Sequence, residues 1–322
     1  MSTGITPAEG AMLLERVRAA VATRVVGQEA TVTDTLVAFL ARGHVLVEGV
    51  PGTAKTLLVR SLSAALGLRF SRIQFTPDLM PSDVTGINVL RDPVRGFEFQ
   101  AGPIFTDLLL GDEINRAPAK TQSALLEAMA ERQVTVDGVS RPLGNAFTVF
   151  ATQNPVEHEG TYPLPEAQLD RFLIKAVMPY PSREAELELL DRYEQGFDAE
   201  RAFDVATPAV LAAPEIASLR TLVDGVRVAA EVRAYIADIT RATRDERMLA
   251  LGASPRATVA LFRAARAVAV LDGRDFATPD DAKSIAPAVL RHRIALSPEL
   301  EVEGRTADDV LAAVLDRIKV PE

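Results

Sequence analysis

The fold is decided by residues 44–56, His44-Val45-Leu46-Val47-Glu48-Gly49-Val50-Pro51-Gly52-Thr53-Ala54-Lys55-Thr56. The first five residues predict a short apolar strand that stops at Gly49. The residues from Thr56 to Leu66 predict a helix. A glycine-containing loop between a strand and a helix is the context that a phosphate-binding loop requires.

The chemistry of this loop suits a nucleoside triphosphate. Backbone N–H groups of the loop and the positive end of the following helix bind phosphate oxygens. Gly49 and Gly52 allow a tight turn, Lys55 would neutralise the β- and γ-phosphates, and the Thr56 hydroxyl would ligate Mg²⁺. The predicted nucleotide-binding run consists of Gly49, Val50, Pro51, Gly52, Thr53, Ala54, Lys55, Thr56 and Leu57.

One position departs from the usual phosphate-loop pattern, because Ala54 stands where the last glycine is expected. That position lies at the helix start, where we expect a small residue with helical φ to suffice. The competing interpretation of the whole segment is a Gly/Pro turn that caps an ordinary helix.

A second candidate segment is an apolar strand, predicted from Phe105 to Leu110, that leads into Asp112 and Glu113. We expect this strand to lie directly beside the phosphate-loop strand. Asp112 would then hold Mg²⁺ through water, and Glu113 would act as general base on the attacking water. A solvated acidic loop at a strand end is the alternative.

Strands and helices alternate along the first part of the chain. Strands are predicted at 44–48, 70–75, 105–110 and 147–152, helices at 7–22, 29–41, 56–66 and 120–130, and hairpins within 86–100, around an Arg91-Asp92-Pro93 turn, and around Asp137-Gly138. Such alternation predicts a parallel sheet covered on both faces. An Ala/Pro-rich connector spans residues 196–214, and only helical patterns follow from Glu215 onward. We therefore expect an α/β nucleotide-binding domain at residues 1–196 and an all-α helical lid at residues 197–322.

Composition narrows the function further. The chain has 322 residues and no cysteine, which excludes disulfides, thiolate catalysis and cysteine-ligated zinc. Its net charge of −9 argues against general nucleic-acid binding. No signal peptide and no apolar run of roughly 18 residues is apparent, so we expect a cytoplasmic protein. His158 stands between two glutamates, but a lone histidine in such a loop is more often solvated, and we predict no metal site beyond that of Mg²⁺.

Several long motifs together resemble the MoxR family of AAA+ ATPases. They are Gly49–Thr56, Gly102-Pro103-Ile104-Phe105, Asp112–Gln122, Asn154-Pro155, Glu159–Phe172 and Gly252-Ala253-Ser254-Pro255-Arg256-Ala257, in the order in which that family has them. The resemblance covers nearly the whole chain and includes the alanine at position 54.

The resemblance implies two roles beside the nucleotide. Asn154 matches the residue called sensor 1, whose amide could orient water against the γ-phosphate. A turn-forming Asn before Pro is the alternative. Val26-Gly27-Gln28 resembles the segment that packs on adenine, which makes Val26 and Gly27 candidate nucleotide contacts. A simple turn between helices is equally compatible with that tripeptide.

The resemblance also implies roles for two arginines. Arg171 matches the arginine finger, which reaches the ATP of a neighbouring subunit and stabilises charge on the transferring phosphoryl group. A surface salt bridge with Asp170 or Glu166 is the alternative role for Arg171. Arg116 and Arg132 are the other candidate arginine fingers. Arg256 matches sensor 2, which links lid position to nucleotide state; a local ion pair is its alternative.

The functions implied by the resemblance are hydrolysis of ATP with Mg²⁺ and chaperone-like remodelling, assembly or maturation of protein complexes, sometimes with metal insertion. Expected partners are further copies of the chain in a homo-oligomeric ring of hexameric size, a von Willebrand factor A domain protein, and a client protein. A nucleic-acid-directed motor such as a helicase is the alternative, because a fold does not specify its cargo. A nucleotide-gated binding protein with negligible turnover is a third hypothesis, disfavoured by Asp112, Glu113 and Arg171.

Overall fold

The computed structural model describes residues 4–92, 96–154, 162–199, 201, 203 and 208–321. The helices are α1 Pro7–Ala22, α2 Glu29–Leu40, α3 Lys55–Leu66, α4 Pro81–Thr85, α5 Ala119–Glu131, α6 Glu166–Leu169, α7 Arg183–Glu194, α8 Ala213–Gly225, α9 Ala230–Arg244, α10 Pro255–Leu271, α11 Pro279–Leu290, α12 Pro298–Val302 and α13 Ala307–Arg317. The strands are β1 Val45–Gly49, β2 Phe70–Gln74, β3 Gly86–Asp92, β4 Gly96–Ala101, β5 Leu108–Asp112, β6 Gln133–Val136, β7 Val139–Pro142, β8 Thr148–Gln153, β9 Ile174–Met178, β10 Arg227–Val228, β11 Leu249–Leu251, β12 Phe276–Ala277 and β13 Ala295–Leu296.

The central element is a parallel five-stranded sheet in the order β2-β5-β8-β1-β9. The expectation that the acidic strand β5 lies directly beside β1 is wrong, because β8 separates them. Phe150 of β8 pairs with Val45 on one side and with Leu110 on the other. Buried His44 reinforces the β1–β8 contact, since its Nδ1 accepts a hydrogen bond from the Val149 N–H at 2.9 Å. The end of β8 therefore lies between the phosphate loop and the acidic strand end.

Local signals place the ends of the helices that flank this sheet. Thr6 and Glu9 form a reciprocal capping box at the start of α1. Helix α3 begins at Lys55 and ends before Gly67, whose φ of 62° provides the left-handed termination that glycine favours. The bounds of these two helices agree with the predicted bounds to within one residue.

Two hairpins project from the α/β part of the molecule. Strands β3 and β4 form one, and β6 and β7 form the other around Asp137 and Gly138, which both have positive φ as the predicted two-residue turn requires. The Asn88 side chain donates to Asp137 at 2.7 Å and joins the two hairpins. The predicted Arg91-Asp92-Pro93 turn extends into residues outside the described part of the chain.

The C-terminal part comprises α8 to α13. The predicted helical character of this part is confirmed, and two small sheets that were not predicted accompany the helices, because β10 pairs with β12 and β11 pairs with β13. Strands of two or three residues are too short to produce a period in the sequence. One cluster of buried apolar side chains runs from α1, α2 and α3 into these helices and includes Leu14, Leu36, Phe39, Leu219, Ile236, Leu261 and Val289. Within the described residues, no helix is both long enough and apolar enough to span a bilayer.

Candidate active site

A cavity of about 760 Å³ opens where α3 begins and where β5 and β8 end. Its lining brings together most of the predicted nucleotide site, namely Val26, Pro51, Gly52, Thr53, Ala54, Lys55, Thr56, Leu57, Asp112, Glu113 and Asn154. Residues as far apart in the sequence as Val26 and Asn154 thus share one space. The parallel sheet explains this, since the carboxyl ends of its strands meet at one edge.

The predicted phosphate loop joins β1 to α3, and two of its members contribute only through the backbone. A side chain at Gly49 would place Cβ 2.8 Å from the Met178 carbonyl oxygen, so β9 packs directly against this glycine. Lys55 Nζ donates to the carbonyl oxygens of Gly49 and Val50 at 2.7 and 2.9 Å. Gly49 and Val50 do not line the cavity themselves, but their carbonyl oxygens hold the amino group of Lys55 in place.

Ala54 has a backbone conformation that differs from the expected one. Its φ of 65° and ψ of 25° are left-handed, so the expectation of a helical φ at this position is wrong. Ala54 is the residue immediately before α3, and the left-handed conformation is what turns the chain from the loop into the helix. An L-residue in this conformation costs about 1–2 kcal/mol, and such strain is typical of functional sites.

Asp112 is almost fully buried at the end of β5 and is held from two sides. Its Oδ1 accepts a hydrogen bond from Thr152 Oγ1 at 2.5 Å. Its Oδ2 accepts from Arg72 at 2.6 Å, and the two form an ion pair. The carboxylate is therefore fixed in direction by one neighbour from β8 and one from β2.

Glu113 follows directly and also has a left-handed backbone, with a φ of 58°. Its N–H donates to Thr152 Oγ1 at 2.9 Å, and its Oε2 accepts from Gln74 at 2.8 Å and from Arg116 at 3.0 Å. Thr152 thus contacts both acidic residues. The side chain of Glu113 is 27% exposed, which leaves it access to water in the cavity.

The far end of the cavity is apolar and suits a base. Val26 and Gln28 face Pro181, Ala185 and Leu189 of the α7 region across it. Gly27 has a φ of 68°, and a Cβ there would lie 2.7 Å from the Ala185 Cβ. Gly27 does not line the cavity, but its lack of a side chain brings Val26 and Gln28 close to α7. Asn154, only 7% exposed, directly follows β8 and also lines the cavity.

The residues fit Mg²⁺ and a nucleoside triphosphate. Mg²⁺ prefers oxygen ligands, and the Thr56 hydroxyl and the Asp112 carboxylate line the same cavity. Gly52, with a φ of 85°, has no atom within 4 Å of the place where a Cβ would be, so the loop backbone is open to a ligand there. The cavity volume lies in the range of small-molecule sites.

Arg171 and Arg256 lie elsewhere. Both side chains are exposed and line a second cavity, of about 470 Å³, which shares no residue with the first. Arg171 does not form the salt bridge that was its alternative role; its Nη1 donates to the Leu126 carbonyl oxygen at 2.5 Å. Neither arginine lines the cavity that holds the phosphate loop of its own chain.

The second cavity is strongly positive. Six arginines line it, namely Arg42, Arg132, Arg171, Arg256, Arg263 and Arg293. Asp170 is the one acidic residue among the described lining residues, and Asp224, which does not line the cavity, pairs with Arg42 at 2.8 Å. Burial, followed by the charge of Arg42, lowers the pKa of the Arg132 guanidinium. Burial, followed by Arg132 and Arg42, lowers the pKa of Arg263. Each of these guanidinium charges is unfavourable for the others, so binding of an anion in the cavity would stabilise them.

Comparisons with known proteins identify the family. Residues 44–174 match the model of the ATPase family associated with various cellular activities, and residues 241–314 match the model of the AAA lid domain. The curated protein Chaperone MoxR1 of Mycobacterium tuberculosis is 43% identical over 323 residues, covering 96% of this chain and 82% of its own length.

The chain belongs to the MoxR family of AAA+ ATPases.

A second curated protein and a solved structure are also similar to this chain over most of its length. The uncharacterised protein YeaC of Bacillus subtilis is 47% identical over 296 residues, covering 92% of this chain and 91% of the relative. A crystal structure of a proposed ATPase from Cytophaga hutchinsonii superposes with a TM-score of 0.87 at 39% identity, covering 97% of this chain and 96% of that one. Membership of the family implies nucleotide binding, and AAA+ proteins are usually oligomeric.

Sequence reasoning missed several residues of this MoxR-family site. Arg72, Gln74 and Thr152 form the hydrogen-bonded setting of the acidic pair. Arg60 also lines the cavity, with its guanidinium 4.2 Å from the ring centre of Phe203. Arg60 could have been found, because it lies four residues after Thr56 and hence on the same face of α3. Arg72 and Gln74 alternate along β2 beside β5, but strand order was needed to recognise their role.

Proposed function

We propose that this chain hydrolyses Mg-ATP, and that its catalytic site is completed by a second copy of the chain. A single observation carries the proposal. The phosphate loop, Asp112, Glu113 and Asn154 line one cavity, whereas Arg171 and Arg256 line another. The first cavity lacks both predicted arginines, Arg171 and Arg256, although Arg60 and Arg72 line it, and the second cavity lacks a phosphate loop.

The residues of the first cavity act on the nucleotide and the water. Lys55 and the loop N–H groups bind the phosphates, and Glu113 takes a proton from the water that attacks the γ-phosphorus. The bond to the β–γ bridging oxygen breaks, and ADP leaves. Asn154 orients the water, while Thr152 holds both carboxylates in place. Thr56 and Asp112 would hold Mg²⁺, which when bound neutralises charge on the phosphates.

The residues of the second cavity act on the neighbour's nucleotide. Arg171 stabilises the charge that develops on the transferring phosphoryl group, and Arg256 adds a second cation from the C-terminal helices. Arg132 lines the same cavity and stays an alternative finger. Arg116 is less suited, because it pairs at 3.0 Å with Glu113 of its own chain.

This arrangement favours a ring. A finger on one face and a phosphate loop on another make a head-to-tail interface, which closes into a ring when the rotation permits. We propose a hexamer that remodels or matures a protein complex, metal insertion included, together with a von Willebrand factor A domain partner in the cytoplasm. A relative at 43% identity is named a chaperone, which supports a protein as the client. A net charge of −9 supports a protein over a nucleic acid.

The test is complementation between two inactive variants. Arg171→Ala should bind ATP and assemble but hydrolyse slowly, because a finger is worth about 10³–10⁵ in rate. Lys55→Ala should fail to bind ATP yet still carry a sound finger. Mixing them under conditions of verified subunit exchange should restore part of the turnover, since some interfaces combine a sound loop with a sound finger.

The outcome that contradicts the proposal is turnover equal to the sum of the two separate variants despite exchange. Sedimentation offers a second check, since ATP should promote self-association and specific activity should rise with protein concentration. An active monomer under all nucleotide conditions would exclude a shared site. The client can be sought with Glu113→Gln as an ATP-bound trap in affinity pulldowns, with Lys55→Ala as the matched control that cannot bind ATP. Stimulation of turnover by DNA would instead favour the nucleic-acid motor.

A further inference from the structure

Arg293 is a buried arginine that follows α11, and its side chain is only 3% exposed. Its Nε donates to Asp170 Oδ1 at 2.7 Å. The other guanidinium nitrogens donate to the main-chain oxygens of Asp170 and Leu173, at 3.3 and 3.0 Å, and to those of Phe172 and Val289. Arginine has five N–H donors in a rigid fork. Here most of them fix one short segment, residues 170–173, which includes Arg171.

The other oxygen of the Asp170 carboxylate connects this segment to α10. Asp170 Oδ2 accepts from Ser254 Oγ at 3.3 Å. Ser254 is the N-cap residue of α10, yet its side chain makes no capping hydrogen bond to that helix. The hydroxyl that would ordinarily cap the helix is used for Asp170 instead. Arg256 lies two residues further on, in the first turn of α10, so Asp170 joins the elements that carry both exposed arginines.

His292 adds a second contact to the same segment. Its Nε2–H donates to the Phe172 carbonyl oxygen at 3.0 Å. Burial, followed by the neighbouring charge of Arg293, lowers the pKa of His292 well below its ordinary value, so the ring is neutral. The geometry therefore does not depend on a titrating group near neutral pH.

We propose that Arg293 is a positioning residue for catalysis at the neighbouring subunit. The Asp170–Arg293–Ser254 cluster holds Arg171 and Arg256 at a fixed separation, so that both reach one nucleotide across the interface. Arg293 borders the second cavity, but its side chain is only 3% exposed and is bonded to Asp170 and to main-chain oxygens, so it acts through the segment that it holds rather than on the nucleotide. This inference rests on the proposed function of Arg171 in trans.

The test compares two variants with a matched control. Arg293→Lys keeps a charge but removes the fork, and Ser254→Ala removes only the connection to α10. Arg274→Lys is the control, because Arg274 is also an ion-paired arginine of the C-terminal part, bonded to Asp281, and it lines neither cavity. A misplacement of about 1 Å can cost about 10²-fold in rate. We expect kcat to fall about 10- to 100-fold in Arg293→Lys, several-fold in Ser254→Ala, and less than twofold in the control.

Complementation distinguishes positioning from general damage to the fold. Arg293→Lys should bind ATP within about twofold of the unaltered protein, because its own phosphate loop is intact. Mixed with Lys55→Ala, it should recover turnover, since Lys55→Ala supplies a well-held finger. Mixed with Arg171→Ala, it should recover none, because neither chain then supplies one.

Other results overturn the proposal. The proposal fails if Arg293→Lys turns over ATP as fast as the unaltered protein. It also fails if a mixture of Arg293→Lys with Arg171→Ala recovers turnover, or if a mixture with Lys55→Ala does not. If Arg293→Lys does not fold, the same mixtures with Ser254→Ala decide. Failure of Lys55→Ala and Arg171→Ala to complement each other overturns the trans site itself, whereas success there with a wrong pattern for Arg293 overturns only the positioning role.

Discussion

Ala54 offers a direct test of strain in the phosphate loop. Its φ of 65° lies in a region that an L-residue enters at a cost of about 1–2 kcal/mol, whereas glycine enters it freely. Ala54→Gly removes that cost but adds about 0.5–1 kcal/mol of backbone entropy lost on folding. The net expectation is a gain of about 0.5–1 kcal/mol in the free energy of unfolding.

Ala124→Gly is the matched control. Ala124 is half-buried like Ala54 but lies in the middle of α5, where the backbone is right-handed. There the same substitution should cost about 1 kcal/mol. The entropy of the unfolded chain changes equally in both variants and cancels in the comparison, so the two should differ by about 1.5–2 kcal/mol.

The assay is urea unfolding without nucleotide, with stabilities compared at equal m-values. Ala54→Gly should raise the midpoint, and Ala124→Gly should lower it. If Ala54→Gly destabilises the protein as much as Ala124→Gly does, the left-handed conformation at residue 54 carries no strain and the reasoning fails. Ala54→Val should be worse than either, because a β-branched side chain tolerates positive φ poorly.

Three further outcomes are expected. Lys55→Ala should abolish measurable binding of labelled ATP, because Lys55 lines the cavity and would neutralise the phosphates there; affinity equal to that of the unaltered protein would exclude that role. Glu113→Gln should bind Mg-ATP normally but release phosphate about 10²–10⁴-fold more slowly, and near-normal turnover would remove Glu113 as the base. Burial raises the pKa of Asp34 from 3.8 to about 6, so the folded state binds more protons between those pH values and stability falls as pH rises through them. Asp34→Asn should therefore raise the free energy of unfolding by up to ~3 kcal/mol at pH 7.5 and by little below pH 4, and an equal gain at both pH values would contradict the titration.

The phosphate loop could be predicted from the sequence because its chemistry is contiguous. Residues 49–56 carry the turn, the lysine and the proposed magnesium ligand within one short run, and their strand and helix follow from local patterns. The Asp137-Gly138 hairpin was predictable for the same reason. Each of these features depends on residues that are neighbours in the chain.

Features that depend on distant residues could not be predicted. The order of β5, β8 and β1 is set by pairing between segments far apart, and β8 lies between the two strands that were expected to be neighbours. Strand β9 lacks a strong apolar run, because Lys175 interrupts it to pair with Glu48 across the sheet at 2.7 Å. Arg293 bonds to a segment about 120 residues away, mostly through backbone oxygens that carry no sequence signal.

The continuous apolar core has a consequence for how the protein is made. Phe39 of α2 and Leu36 beside it belong to the same buried cluster as Leu219 and Leu261 of the C-terminal helices. A nascent chain that has emerged only as far as the predicted domain boundary at residue 196 would expose this face of α2 to water. The nucleotide pocket of such a chain would lack its support, since α2 follows directly on the Val26–Gln28 segment. We therefore expect ATP to bind only after α8 to α11 have left the ribosome.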